Sequence, residues 1–252
     1  FLSYHRKQIN SWHHYLGMEY LVLINPPSYK LLHVLLIHTV YSFYLNNHKF
    51  NIMKVTVVGA GNVGATCANV IAHKELVREV VLVDIKQGTA EGKALDIWQT
   101  SGVNNYDTRV VGVTNDYTKT AGSEVVVITS GLPRKPGMSR DDLISTNAEI
   151  VKSVTENVVK HSPDAILIIV SNPLDVMSYC AYVSSKLPST KVMGMAGILD
   201  TARYRAFLAE AIDCSPKDIS AMLLGGHGDT MVPLPRYTSV SGIPVSELID
   251  DA

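Results

Sequence analysis

Met53-Lys54-Val55-Thr56-Val57-Val58-Gly59-Ala60-Gly61-Asn62-Val63-Gly64 is the stretch that decides the fold of this 252-residue chain. A run of β-branched residues feeds into Gly-x-Gly-x-x-Gly, and a helical pattern from Ala65 to His73 follows. Gly59 permits a tight strand-to-helix turn, Gly61 lets a pyrophosphate approach the backbone, and Gly64 lets helix and strand pack closely. The helix N-terminus, opened by Asn62, offers unpaired N–H groups and the positive end of a dipole to a phosphate. A second apolar run, Val80-Val81-Leu82-Val83, ends at Asp84, twenty residues beyond Gly64. A carboxylate in that place accepts both ribose hydroxyls and repels a 2′-phosphate, which selects NAD over NADP. Gly59, Gly61, Asn62, Gly64 and Asp84 are therefore the expected cofactor contacts.

Outward from this stretch, short β-branched runs alternate with amphipathic segments, the signature of βαβ units on a parallel sheet. Strands are predicted over Lys54–Gly59, Glu79–Asp84, Thr108–Thr114, Glu124–Ser130 and Ala165–Ser171, with a short sixth over Lys191–Met195. Helices are predicted over Asn62–His73, Thr89–Thr100, Asp141–His161 and Leu174–Leu187, the third of them ended by Ser162-Pro163. The fold class is α/β, a Rossmann doubly wound parallel sheet spanning residues 53–197, with ligands at the carboxyl ends of the strands. After Gly197 the pattern changes to an incomplete α+β domain, residues 198–252. A helix is predicted over Asp200–Ile212, a strand over Ile219–Leu224, another around Met231–Leu234, and the start of a helix over Ser246–Asp251.

Residues 1–52 differ in composition. They hold six of the nine histidines, six of the twelve tyrosines, one acidic residue (Glu19) and one glycine (Gly17). Their apolar run from Leu31 to Leu45 is broken by His33 and His38 and is short for a membrane span. The segment has neither a small-residue cleavage site after an apolar stretch nor an arginine-rich transit pattern. The expectation is that 1–52 is an over-extended reading upstream of a native start at Met53; a membrane or organelle-targeting segment is the alternative. Net charge is −1 overall, with no basic face for a nucleic acid, and no membrane partner is expected. Cys67, Cys180 and Cys214 are widely spaced, without a metal or disulfide pattern, and read as small packing residues in a reducing, cytoplasmic setting.

Four further segments carry candidate chemistry. Gly131-Leu132-Pro133-Arg134-Lys135-Pro136-Gly137-Met138-Ser139-Arg140 follows the fourth strand, at the cofactor edge. Its arginines suit carboxylate recognition, because the planar fork bonds both oxygens and stays charged; its glycines and prolines suit a loop that closes and excludes water. A solvated basic loop is the alternative. Asn172, in Ser171-Asn172-Pro173-Leu174-Asp175, can donate and accept at a carbonyl; capping the next helix is the other reading, and the two are compatible. Asp200 and Arg203 share one helical face, either as functional groups or as a capping aspartate with a local ion pair. In Leu224-Gly225-Gly226-His227-Gly228-Asp229-Thr230 the histidine is bare of packing neighbours and suited to proton transfer, with Asp200 or Asp229 as the orienting carboxylate. His73 and His161 read as end-of-helix residues.

GAGNVG, Asp84, LPRKPGMSR, SNPLD, LDTAR and GGHGD, in this order from Met53 to Ala252, resemble the lactate/malate dehydrogenase superfamily, and within it the malate-oxidising members whose chains look like lactate dehydrogenase. The resemblance implies that His227 exchanges the proton of the hydroxy acid and that Asp200 orients it. It implies that Arg203 binds the carboxylate beside the reacting carbon and that Arg140 polarises the C2–O bond. Asn172 lies near the substrate oxygen and the nicotinamide, and Asn147 near the cofactor. Arg134 faces the far end of the acid, where an arginine pairs with a second carboxylate. The expected reaction is the NAD-dependent interconversion of (S)-malate and oxaloacetate, in a homodimer or homotetramer. L-lactate dehydrogenase is the alternative within the family. The family's chain continues past the point where this sequence stops, twenty-five residues after His227, so a truncated NAD-binding fragment without activity is the other alternative.

Overall fold

A computed structural model describes residues 54–133, 137 and 139–249 of the chain. The readings of residues 1–52 and of Met53 as the native start lie outside the described residues.

Six strands, β1 (Lys54–Val58), β2 (Glu79–Asp84), β3 (Arg109–Thr114), β4 (Val125–Ile128), β5 (Ile166–Ile169) and β6 (Val192–Gly194), form one sheet in the order β3-β2-β1-β4-β5-β6. Every pairing in it is parallel. The strands read as near-continuous apolar runs because both faces are covered. Side chains alternate between faces, and the core divides accordingly. On one face Val55, Val57, Val80 and Leu82 pack with Ala68 and Ala72 of α1 (Asn62–His73) and Ala90, Ala94 and Ile97 of α2 (Thr89–Gln99). A short turn of helix, α3 (Ser101–Asn104), follows α2. On the other face Val58, Val81, Val83, Val126, Ile128, Leu167 and Ile169 meet α4 (Arg140–His161) through Val151, Val154 and Val158, and α5 (Leu174–Ser185) through Met177 and Ala181.

Strand order reverses at β1, which has β2 on one side and β4 on the other. The carboxyl ends part there, the crevice in which doubly wound sheets bind ligands. The start of α4 is fixed by a capping box in which the Ser139 hydroxyl accepts from the Asp142 amide and the Asp142 carboxylate accepts from Ser139. Those bonds hold the exposed Asp142 carboxyl below the usual carboxylate range. The helix ends at Ser162, whose hydroxyl donates to Thr120 O at 2.6 Å.

Beyond β6, α6 (Gly197–Ile212) begins three residues earlier than the predicted Asp200. Two small antiparallel sheets follow: β11 (Ile243–Pro244), β10 (Ser239–Val240) and β7 (Ile219–Ser220) in that order, and the pair β8 (Leu223–Leu224) and β9 (Val232–Pro233). The strand predicted over Ile219–Leu224 is thus two strands in two sheets. Ile219 packs with Ala209 and Val240, while Leu223 and Leu224 turn away to pair with Pro233 and Val232. The described part of Ser246–Asp251 is a 3-10 turn, Val245–Glu247, rather than the start of an α-helix. The buried Val245 is tied back by its amide to Thr238 O at 3.0 Å, and this tertiary bond sets the local turn. Among the described residues no helix is long and apolar enough to cross a membrane.

Candidate active site

Gly59 takes φ +104, and a Cβ there would meet the Thr129 hydroxyl at 2.7 Å. At Gly64 a Cβ would stand 1.8 Å from Gly59 O, so α1 touches the turn backbone to backbone. Above Gly61 nothing lies within 4 Å, which leaves room for a pyrophosphate. Gly61 is the N-cap of α1 and has no side-chain cap. The first helical bond runs from Ala65 N to Gly61 O, so the amides of Asn62, Val63 and Gly64 are the ones a helix start leaves for an anion. Asp84 accepts from Ala60 N at 2.7 Å through Oδ2 and from Lys86 N at 2.8 Å through Oδ1. Each oxygen keeps a further lone pair for a ribose hydroxyl. The residues of this cradle fit a dinucleotide.

Across the crevice, Leu132 leaves the end of β4 and leads into the arginine loop. Arg134 lies outside the described residues; Arg140 opens α4, and its side chain is likewise outside them. Gly137 takes φ +88, a left-handed turn in the loop. Asn147 is 1% exposed and bonds Leu132 N, Leu132 O and the Asn172 carbonyl. Asn172 is exposed at the end of β5 and joined to Pro173 by a cis peptide bond. Pro173, and not Asn172, is the N-cap of α5, so the capping alternative for Asn172 fails.

The histidine loop meets the start of α6. His227 Nδ1 lies 2.9 Å from Asp200 Oδ2, and Arg203 Nη1 lies 3.4 Å from Oδ1 of the same carboxylate. The Asp200 side chain is 2% exposed, His227 23% and Arg203 53%, so a buried charge is flanked by a half-covered ring and an open cation. With Nδ1–H donating to the carboxylate, Nε2 carries the free lone pair. Asp229, the other sequence candidate, is exposed. The motifs around Asp200, Arg203 and His227 therefore converge.

Two residues that hold this loop were missed from the sequence. Asp175 Oδ2 accepts from the His227 amide at 3.3 Å, and Thr201 Oγ1 accepts from Leu223 N at 3.1 Å. An aspartate in the first turn of a helix reads as a partner of the helix dipole, and only the fold brings it within reach of residue 227. Gly225 takes φ +103, and a Cβ there would lie 2.2 Å from Thr230 O, so the turn that presents the histidine requires glycine. His73 closes α1, is exposed and packs its ring 4.9 Å from Tyr106, while His161 closes α4. The cysteines are free and pack at the edges of the three apolar clusters. Burial pushes the Cys67 thiol up, away from reactive thiolate.

Residues 53–194 match the family described as lactate/malate dehydrogenase, NAD binding domain, and residues 198–252 match lactate/malate dehydrogenase, alpha/beta C-terminal domain. A malate dehydrogenase of Cytophaga hutchinsonii is 75% identical over 198 residues, 79% of this chain and 64% of that protein. The solved malate dehydrogenase of Salinibacter ruber superposes with a TM-score of 0.75 at 58% identity, covering 79% of this chain and 63% of that one. A lactate dehydrogenase of Cryptosporidium parvum, solved with lactic acid and nicotinamide adenine dinucleotide, gives 0.72 at 42% identity, covering 77% and 61%. The chain spans a little under two thirds of the length of these relatives.

Proposed function

The chain belongs to the lactate/malate dehydrogenase family, and on that premise we propose that it interconverts (S)-malate and oxaloacetate with NAD. Residues 53–197 are the cofactor domain, 198–252 the first part of the substrate domain, and 1–52 an extension outside both. Gly59, Gly61, Asn62, Gly64 and Asp84 hold the dinucleotide, with Asn147 and Asn172 on its nicotinamide side. The nicotinamide, when bound, takes up or delivers the hydride.

The chain's own residues do the rest. His227 Nε2 accepts the hydroxyl proton when malate is oxidised and returns it in reduction. Asp200 holds Nδ1–H, fixing the tautomer, and stabilises the imidazolium that forms. Arg203 grips the carboxylate next to the reacting carbon, and Asn172 hydrogen-bonds near the substrate oxygen. Arg140 opposes the negative charge that develops on that oxygen, an interaction strongest in the transition state. Arg134 pairs with the second carboxylate. A closed, dry site leaves that cation unpaired when pyruvate binds, and so rejects it.

The observation that supports this reading best is the single buried carboxylate shared by His227 and Arg203. The likeness to the Cryptosporidium parvum lactate dehydrogenase favours lactate and pyruvate as the second reading. Comparing oxaloacetate with pyruvate as oxidants of NADH separates the two. Oxaloacetate is expected to lead by about a thousandfold in kcat/KM, and Arg134→Gln to lose most of that lead without weakening NADH binding. A wild-type preference for pyruvate overturns the assignment. The three free cysteines suit a reducing compartment, and we assign the protein to the cytoplasm as a homodimer or homotetramer.

A further inference from the structure

We propose that Asp175 is a positioning residue, the second anchor of His227, which together with Asp200 fixes the direction in which the imidazole presents Nε2. The proposal rests on the reading of His227 as the group that exchanges the substrate proton.

The backbone around His227 has little stiffness of its own. Glycines stand at 225, 226 and 228, and Gly225 takes φ +103. Position has to come from outside the turn, and two helices supply it. Asp200, in the first turn of α6, holds the ring at Nδ1, 2.9 Å from its Oδ2. Asp175, in the first turn of α5, accepts the His227 N–H on Oδ2 at 3.3 Å. α5 has no side-chain cap. An acidic residue placed where a carboxylate ordinarily answers its own helix dipole thus reaches across to the histidine turn. Gly226 permits the approach: a Cβ there would lie 3.2 Å from Asp175 Oδ2 and 2.7 Å from Thr230 Oγ1.

One bond at Nδ1 leaves the ring free to swing about its contact with the carboxylate, and Nε2 swings with it. Two torsions, χ1 and χ2, separate the backbone nitrogen of His227 from Nδ1. With both ends held, few staggered combinations remain, and the direction of Nε2 is set before substrate arrives. Both anchors stand on helices, which hold position better than loops do. Asp175 also lies three residues after Asn172, so the segment that presents Asn172 at the end of β5 holds the backbone of the histidine as well. Asp175 is exposed, and a charge screened by water acts weakly at a distance. What it contributes is the hydrogen bond, and asparagine, which keeps an acceptor oxygen, can replace it.

Two measurements test the anchor on the full-length protein. The first is amide hydrogen exchange at His227. The wild-type N–H is expected to exchange at least about tenfold more slowly than that of Asp175→Ala, and equal rates overturn the proposal. The second is the rate of hydride transfer from NADH to oxaloacetate in a single turnover, with NADH titration, KM for oxaloacetate and a thermal melt alongside. Asp175→Ala is expected to slow the transfer about tenfold or more, and Asp175→Asn to stay within about threefold of the wild type. KM and the NADH dissociation constant are expected to move less than about twofold in both. Equal losses in the two variants assign the effect to charge and overturn the proposal; so does a parallel loss of NADH affinity. An alanine variant with the wild-type rate, whatever its melting temperature, makes Asp175 a structural residue only and overturns it too. A wild type silent toward oxaloacetate, with a His227 amide that Asp175 still protects, overturns the reaction proposed above and supports the anchor.

Discussion

Replacing Asp200 by asparagine removes one negative charge from the joint between His227 and Arg203 while conserving side-chain volume. The carboxylate is almost wholly buried, and its Oδ2 lies 2.9 Å from Nδ1 of the ring. In the proposed reaction the ring takes the substrate proton and becomes a cation beside that carboxylate. With the charge centres about 4 Å apart and an effective dielectric constant of about 20, the attraction is about 4 kcal/mol. At about 1.4 kcal/mol per decade, its loss slows the chemical step by about a thousandfold. A second effect acts in the same direction. The amide nitrogen can present N–H to the ring, which then holds its proton on Nε2 and has no lone pair for the substrate.

Steady-state NADH absorbance at saturating NAD and malate measures the loss in kcat, and NADH titration and a thermal melt serve as controls. The dinucleotide cradle around Gly59 and Asp84 is built from other elements, so NADH affinity is expected to stay within about twofold. A variant whose kcat stays within about tenfold of the wild type refutes the reasoning, because the charge would then contribute no more than a neutral hydrogen bond.

The glycine turn and the α4 cap give two further tests. Gly64→Ala drives a Cβ to 1.8 Å from Gly59 O, backbone against backbone, and is expected to cost about 3 kcal/mol or more of stability, seen as a lowered melting temperature. Gly61→Ala, where the same atom meets open space, should leave the melt unchanged and weaken NADH binding; an unchanged NADH constant would remove the pyrophosphate from that place. At the cap, the folded-state pKa of Asp142 lies below its unfolded value. Its contribution is therefore fully present above the unfolded value of about 4 and is lost as pH falls through the lower folded value. Amide exchange at the start of α4, followed downward from about pH 5, should speed up only at the acid end of that window, and Asp142→Ala should abolish the dependence.

The cofactor half of the molecule was legible because its determinants are contiguous. A strand, a turn and a helix within a dozen residues of Gly59 supply the cradle, and the valine runs of β1, β2 and β4 can only be strands covered on both faces. The half proposed to take the substrate showed its motifs in the sequence but not their geometry. Nothing local shows that Asp200 rather than Asp229 faces the ring of His227, since the bond spans twenty-seven positions in sequence and Asp229 is the nearer residue. Asp175 was passed over for the same reason: its place in the first turn of α5 has a sufficient local explanation, and its bond to residue 227 is a product of the fold. The split of Ile219–Leu224 between two sheets is likewise a tertiary choice, made by packing against Ala209 and Val240 that a period-2 pattern does not contain.

Burial also explains why Asp200 is the partner with consequences. An exposed carboxylate such as Asp229 has its charge screened by water, and its pairing with a histidine is worth little. A buried carboxylate is unfavourable by itself and has to be balanced by what faces it. Asp200 is faced on one oxygen by Arg203, whose side chain is half open, and on the other by His227. In the proposed reaction the substrate carboxylate takes the fork of Arg203 and draws off part of that balance. The ring is then left as the group that faces the buried charge, and the imidazolium formed when it takes the proton of malate offsets that charge. The carboxylate grip proposed for Arg203 and the proton transfer proposed for His227 are in this way tied together through one side chain.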